Sequence, residues 1–215
     1  MNAFAALVRR DLARAFAHGG AWLPLVFYLL VATLFPFAIG PDAALLEKVG
    51  GGVLWTAALL AALLPVERLV RPDLAAGIID QLVVRGQSDE AIAAAKLTAH
   101  WLSFGPLLMI ATLPAVALLN LDRATVIRLE IGLALGTPGL AALGLAVAAL
   151  TAGLRGTGAL IGLIMLPLAV PLLIFSASPG AGALKLLAAT SLLFVAGAPF
   201  SAGAALRNYG DSARN

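Results

Sequence analysis

Six apolar runs of about twenty residues each leave this chain few ways to fold. A helix rises about 1.5 Å per residue and a bilayer core is about 30 Å thick, so each run matches one crossing. The runs lie at about 21–39, 50–66, 98–119, 130–152, 157–176 and 185–206. Unpaired backbone is costly in hydrocarbon, which leaves only helices or closed barrels. No alternating strand pattern of a barrel is present. The expected fold class is all-α: one polytopic membrane domain over 1–215 with six transmembrane helices. Composition agrees. The chain is 61% hydrophobic and 12% charged, whereas soluble domains sit at about half and a quarter.

Orientation follows from the basic residues. Arg9, Arg10 and Arg14 precede the first span, and Arg68, Arg71, Arg85 and Lys96 lie between the second and third. Arg155 joins the fourth to the fifth, and Arg207 and Arg214 follow the sixth. The alternate connections hold only Lys48, Arg123, Arg128 and Lys185. Ten cations against four predict that both termini and the long polar segment are cytoplasmic. Excess basic charge therefore reads as topology, and no basic stretch alternates with aromatics as nucleic-acid binding would require.

Before the first span, Phe4, Leu7, Val8, Leu12, Ala15 and Phe16 recur at three- and four-residue spacing, with the arginines largely off that stripe. This predicts an amphipathic helix in the membrane interface, its arginines among lipid headgroups. Gly19-Gly20 lets the chain turn into the bilayer. A secretory or twin-arginine signal is the competing interpretation, but the apolar run is longer than a signal core, so a retained span is expected.

The polar segment 67–96 is the one sizeable surface through which a soluble partner can act on the spans. Glu67 and Arg71 are four apart in the favourable order for pairing. Pro72 breaks the second helix, and Asp73 is placed to cap a short amphipathic helix over 73–84. Leu74, Ile78 and Leu82, with Ile79 as a further candidate, share its apolar face, and Gly77 is a weak point inside it. Ser88 is placed to cap the next helix, with Asp89 and Glu90 in its first turn. A partner gripping this cytoplasmic helix would move spans two and three together. A solvated loop packed under the bundle is the plainer alternative.

Several chemistries have no residues to run them. Cys is absent, which removes disulfides and thiolate chemistry. There is no GxxxxGK[ST] phosphate loop, no HExxH, and no carboxylate dyad deep in a span. An enzyme or ion-coupled transporter is disfavoured, and driving energy must come from elsewhere. His100 beside Trp101 can be read as a haem ligand or as a helix-packing histidine; His18 lies at the interface. Trp22, Trp55 and Trp101 fall near span ends, as an aromatic belt would place them. Gly132/Gly136 and Gly158/Gly162 form GxxxG pairs suited to close helix packing. The run 136–139, Gly-Thr-Pro-Gly, predicts a break in span four.

Taken in order, five stretches make the chain similar to a known family. They are TLFPFAIGP (33–41), GVLWTAALLAALLPVERL (52–69), AKLTAHW (95–101), LGTPGLAALGLAVAAL (135–150) and LPLAVPLLIF (166–175). With the segment ERLVRPDLAAGIIDQLVV (67–84), they resemble membrane subunits of ABC exporters, and more narrowly the haem exporter protein B (CcmB) family of cytochrome c maturation. The resemblance implies a bacterial inner-membrane permease with a separate ABC-type ATPase subunit and a second copy of itself. It also implies a haem-handling membrane protein, a small accessory subunit and, indirectly, a periplasmic haem chaperone. Haem would be cargo or an adjacent ligand, and ATP would act only through the partner. Glu67, Arg68, Arg71, Asp73, Gly77, Asp80, Gln81 and Leu82 match the ATPase-coupling pattern, with Asp80 where Glu is usual. His100 and Trp101 are left as candidate haem or partner contacts. A permease for another hydrophobic substrate, such as a lipid or drug, and a non-conducting force-transmitting subunit are the alternatives.

Overall fold

The computed structural model describes every residue except Met1, Asn2, His18, Pro41, Arg155, Pro179, Ala181 and Asn215, and the side chains of residues 211–214 are likewise left aside. All regular structure among the described residues is helical. An N-terminal helix α1 (Ala3–Ala17) leads into α2 (Trp22–Ile39) and α3 (Ala43–Leu63). A 3-10 turn (Val66–Arg68) and two short helices, α4 (Arg71–Ala75) and α5 (Ile78–Val84), follow. Four long helices complete the chain: α6 (Asp89–Leu118), α7 (Arg123–Thr151), α8 (Gly158–Ala177) and α9 (Ala183–Arg214).

Six helices are long and apolar enough to cross a membrane, as the sequence predicts. Most of them run beyond the apolar cores, because polar caps set their ends. Asp42 accepts from Leu45 N at 3.1 Å, so α3 begins at Ala43 instead of 50. Ser88 accepts from Ala91 N at 3.2 Å and opens α6, the predicted cap. Asp122 accepts from Thr125 N at 3.0 Å and from Ala124 N at 3.2 Å, opening α7. Hydrogen bonding from Thr125 holds the Asp122 carboxyl below its usual range.

Helix α7 is the centre of the bundle. It packs against α3, α6, α8 and α9, and 72% of its apolar window is buried, against 17% for the peripheral α2. Lipid is as apolar as leucine, so close packing of small residues must hold such helices together. Ala57, Ala58, Ala61 and Ala62 line one buried side of α3. A Cβ on Gly139 would come within 2.9 Å of the Ser191 Cα, so the glycine brings α7 against α9. The expected break at 136–139 does not occur: α7 is continuous through Pro138. Those glycines serve contact with neighbours instead of unwinding.

Trp55 also departs from expectation. It is 2% exposed and belongs to the core, not to an aromatic belt. A Cβ on Gly136 would lie 2.3 Å from its Cη2, and one on Gly132 3.0 Å from its Nε1. This GxxxG pair is therefore the groove that admits an indole. The second pair makes no such contact within the chain; nothing lies within 4 Å of a Cβ built on Gly162. Trp22, 51% exposed beside Phe16, does fit the belt.

Candidate functional site

One end of the bundle gathers α1, α4, α5, the start of α6 and the ends of α7 and α9. Arg207 of α9 donates to Glu90 of α6 at 2.6 Å. Tyr209 Oη accepts from Gly153 N at 3.0 Å, tying α9 to the end of α7.

The segment expected to form one helix over 73–84 is two. Gly77 adopts φ +65°, a left-handed conformation that side chains resist, and it separates α4 from α5. Pro72 stands in the first turn of α4, where its missing N–H costs nothing. The expected apolar face packs inward, with Ile79 as its most deeply buried member. Ile79 is 2% exposed, and Leu82 and Val83 pack with it against the core. Ile78 contributes only partly. Asp80, Gln81 and Val84 face outward, Val84 being 82% exposed.

Asp73 does not cap a helix and does not reach the surface. Its side chain is 3% exposed. Arg14 Nη1 donates to its Oδ1 at 2.5 Å and Arg10 Nη2 to its Oδ2 at 2.5 Å. Lys96 of α6 pairs with the same Oδ2 and also donates to Asp11 Oδ2 at 3.2 Å and to the Leu69 carbonyl at 3.1 Å. All three ammonium donors thus have acceptors, as a buried lysine requires. Burial works against the charge on Arg10, but bonding and charge from Asp11 and Asp73 outweigh it and raise the guanidinium above its ordinary value.

This cluster was not anticipated. Sequence reasoning sends Arg10 and Arg14 to lipid headgroups and counts Lys96 only among the cations between the second and third spans. Helix α1 instead has two working faces, and Leu7, Arg10, Asp11 and Arg14 recur at the spacing of the one that meets α6. The available signal was Asp11, an acid placed inside an arginine-rich amphipathic helix.

The remaining predicted residues fall into two groups. Glu67 accepts from Arg71 Nη1 at 3.0 Å, the predicted pair, and stands 3.5 Å from Thr157 Oγ1. Arg68 is exposed. His100 and Trp101 lie inside the bundle. Trp101 Nε1 donates to Thr137 Oγ1 at 3.1 Å, joining α6 to α7. His100 is 3% exposed, tilted against Phe104 at 4.9 Å between ring centroids. Neither of its ring nitrogens has a hydrogen-bond partner. A Cβ on Gly144 would be 3.4 Å from its Nε2, so α7 closes that edge of the ring. A porphyrin approaching Nε2 would have to displace α7, which favours the packing role. His18 lies outside the described residues. No group of three or more metal-ligating side chains occurs among the described residues.

The arrangement can pass force: a load on the outer side of α4–α5 meets a buried ionic bolt to α1 and α6. The chain is similar to known proteins along most of its length. The family model described as CcmB protein matches residues 2–209. Heme exporter protein B of Haemophilus influenzae is 41% identical over 215 residues, covering 95% of this chain and 97% of that protein. The Bradyrhizobium diazoefficiens protein of that name is 38% identical, covering 97% and 99%. The Rhodobacter capsulatus one is 42% identical, covering 94% and 97%.

Proposed function

This chain belongs to the CcmB protein family, and from that membership we propose that it is the permease subunit of an ABC transporter acting in haem export during c-type cytochrome biogenesis. It is a multi-pass membrane protein of six apolar helices. In this reading it sits in the bacterial inner membrane with both termini cytoplasmic. ATP is hydrolysed by a separate ATPase subunit, and haem is cargo for the complex, not a resident cofactor of this chain.

The observation that carries the coupling role is the two-sided build of the segment 71–84. Asp80, Gln81 and Val84 are presented outward, whereas Asp73 and Ile79 are fixed inward. The ATPase docks on the outer side. Its closure pushes α4 and α5, and the bolt passes the movement to α1 and α6 as a rigid-body shift. Glu67, Arg68 and Arg71 border this surface, and Gly77 gives the segment its bend.

One observation favours force transmission over a path through a single subunit. The space between α3, α6, α7 and α9 is filled by buried side chains such as Leu54, Phe104, Leu133 and Leu140. A second copy, a haem-handling membrane protein, a small accessory subunit and a periplasmic haem chaperone complete the proposed assembly. The work of this chain would then be to release a loaded chaperone from its neighbour.

Haem staining of c-type cytochromes tests the function. Stained bands should vanish on deletion of the gene and return when it is restored. Bands that persist in the deletion strain would remove the haem reading and leave a permease of other cargo.

A further inference from the structure

A cavity of about 330 Å³ opens beside the ionic bolt, between α1, the 65–73 stretch and α6. Asp11, Arg14, Arg68, Asp73 and Lys96 contribute its charged wall, three cations against two anions. Asp11 and Asp73 are already engaged with Arg10, Arg14 and Lys96. Arg68 makes no ion pair among the described residues and is exposed at this wall. Pro65, Leu69 and Ala99 supply apolar wall. His100 also lines the cavity, 3% exposed and without a hydrogen-bond partner on either nitrogen. A neutral imidazole has one N–H donor and one acceptor, and leaving both unmet in a buried place is costly.

The cavity stands at the level of the bilayer interface. Ala15 and Gly20, at the end of α1 and the turn after it, are part of its lining. Phe16 and Trp22 flank that turn, 38% and 51% exposed and packed edge to face at 6.2 Å. Exposed aromatics at a span entrance mark headgroup depth. A ligand here would meet a spare guanidinium, apolar wall and a buried imidazole short of a partner.

We propose that this cavity is a binding site for the headgroup of an anionic membrane phospholipid. Arg68, with Arg14 beside it, holds the phosphate by charge-assisted hydrogen bonds. His100 Nδ1, on the ring edge away from Gly144, meets a headgroup hydroxyl or its bound water, and the acyl chains leave along α1 and the base of α2. The lipid would wedge between the interfacial helix and the coupling segment, so its occupancy would set how firmly α1 is held.

Native mass spectrometry of the full-length protein, delipidated in detergent, tests this with added phosphatidylglycerol, phosphatidylcholine of the same chains, or inorganic phosphate. Phosphatidylglycerol should be retained in preference to phosphatidylcholine. Arg68→Gln should reduce its retention about tenfold, the loss expected for a charge-assisted bond. His100→Leu should lower it as well, and Ala15→Phe, which fills the cavity from its half-buried wall position on α1, should do the same without touching a charge. Arg85→Gln, an exposed cation elsewhere at this end, should retain lipid as the unaltered chain does. Equal retention by Arg68→Gln and Arg85→Gln would overturn the site. Displacement of the lipid by millimolar inorganic phosphate would overturn the lipid assignment in favour of a free anion.

Discussion

Lys96 sits two turns inside α6 and pairs with Asp73 of α4, and each side chain is only 3% exposed. Two buried charges from different elements thus join α4 to the long apolar helix α6. Arg10 and Arg14 reach the same carboxylate from α1 at 31% and 45% exposure. Helix α4 is therefore pinned to α1 on one side and to α6 on the other. In the proposed coupling role, load on α4 and α5 would pass through both contacts.

Removing Asp73 should destabilise the protein strongly. Asp73→Ala leaves Lys96 buried with only Asp11 and a carbonyl, and breaking a buried pair from one side costs about 3–5 kcal/mol. Thermal unfolding in detergent should shift down, and trypsin should cut α1 at Arg10 and Arg14 more readily. The double change Asp73→Leu with Lys96→Met should recover most of the loss, because no buried charge is then stranded. An unchanged melting temperature for Asp73→Ala would show that the bolt bears nothing.

Two residues of one short helix should behave oppositely. Val84 is 82% exposed, so Val84→Asp should leave stability within about 0.5 kcal/mol yet release the ATPase subunit. Ile79 is 2% exposed, and Ile79→Ala should cost about 2–5 kcal/mol. Co-purification of the ATPase alongside a melting curve separates the cases. ATPase retained at normal stoichiometry on Val84→Asp would move the docking surface elsewhere.

Most of the architecture was legible because it rests on local rules. Run length gives the spans, and Ser88 followed by Asp89 and Glu90 marks the start of α6. The pairing of Glu67 with Arg71 follows from spacing alone. What escaped reading was tertiary. Asp73 looks like a cap beside Pro72, and only the approach of α1 and α6 turns it into a buried anchor. Gly77 reads as a weak point in a helix, whereas its φ of +65° makes it a joint between two. Gly132 and Gly136 signal a close approach, but whether a helix or an indole fills the groove depends on where Trp55 arrives.

That groove can be probed directly. Gly136→Ala gains up to about 1 kcal/mol of helix propensity. The added Cβ, however, would stand 2.3 Å from Trp55 Cη2 and 3.3 Å from Leu187 Cδ1. Overpacking of this kind costs about 1–3 kcal/mol, so the net effect should be a lower melting temperature. Trp55→Phe in the same chain should relieve part of it. If Gly136→Ala melts higher than the unaltered chain, the indole does not fill this groove as described.

Sidedness of the bundle is the remaining prediction, and the chain is well suited to it. Helix α6 runs from Asp89 to Leu118, so residues just before it and just after it lie on opposite sides of a bilayer. Arg85 is exposed before α6, and Ala124 is exposed at the start of α7. By sequence position, ten of the fourteen Lys and Arg residues fall in the two tails and in the second-to-third and fourth-to-fifth connections, which the positive-inside rule assigns to the cytoplasm together with Arg85. Arg85→Cys should react with an impermeant maleimide only in inside-out vesicles, and Ala124→Cys only in intact spheroplasts. The chain has no cysteine of its own, so any label reports the introduced site. The reverse pattern would put α4 and α5 on the far side from ATP, and the ATPase-coupling reading would fall with it.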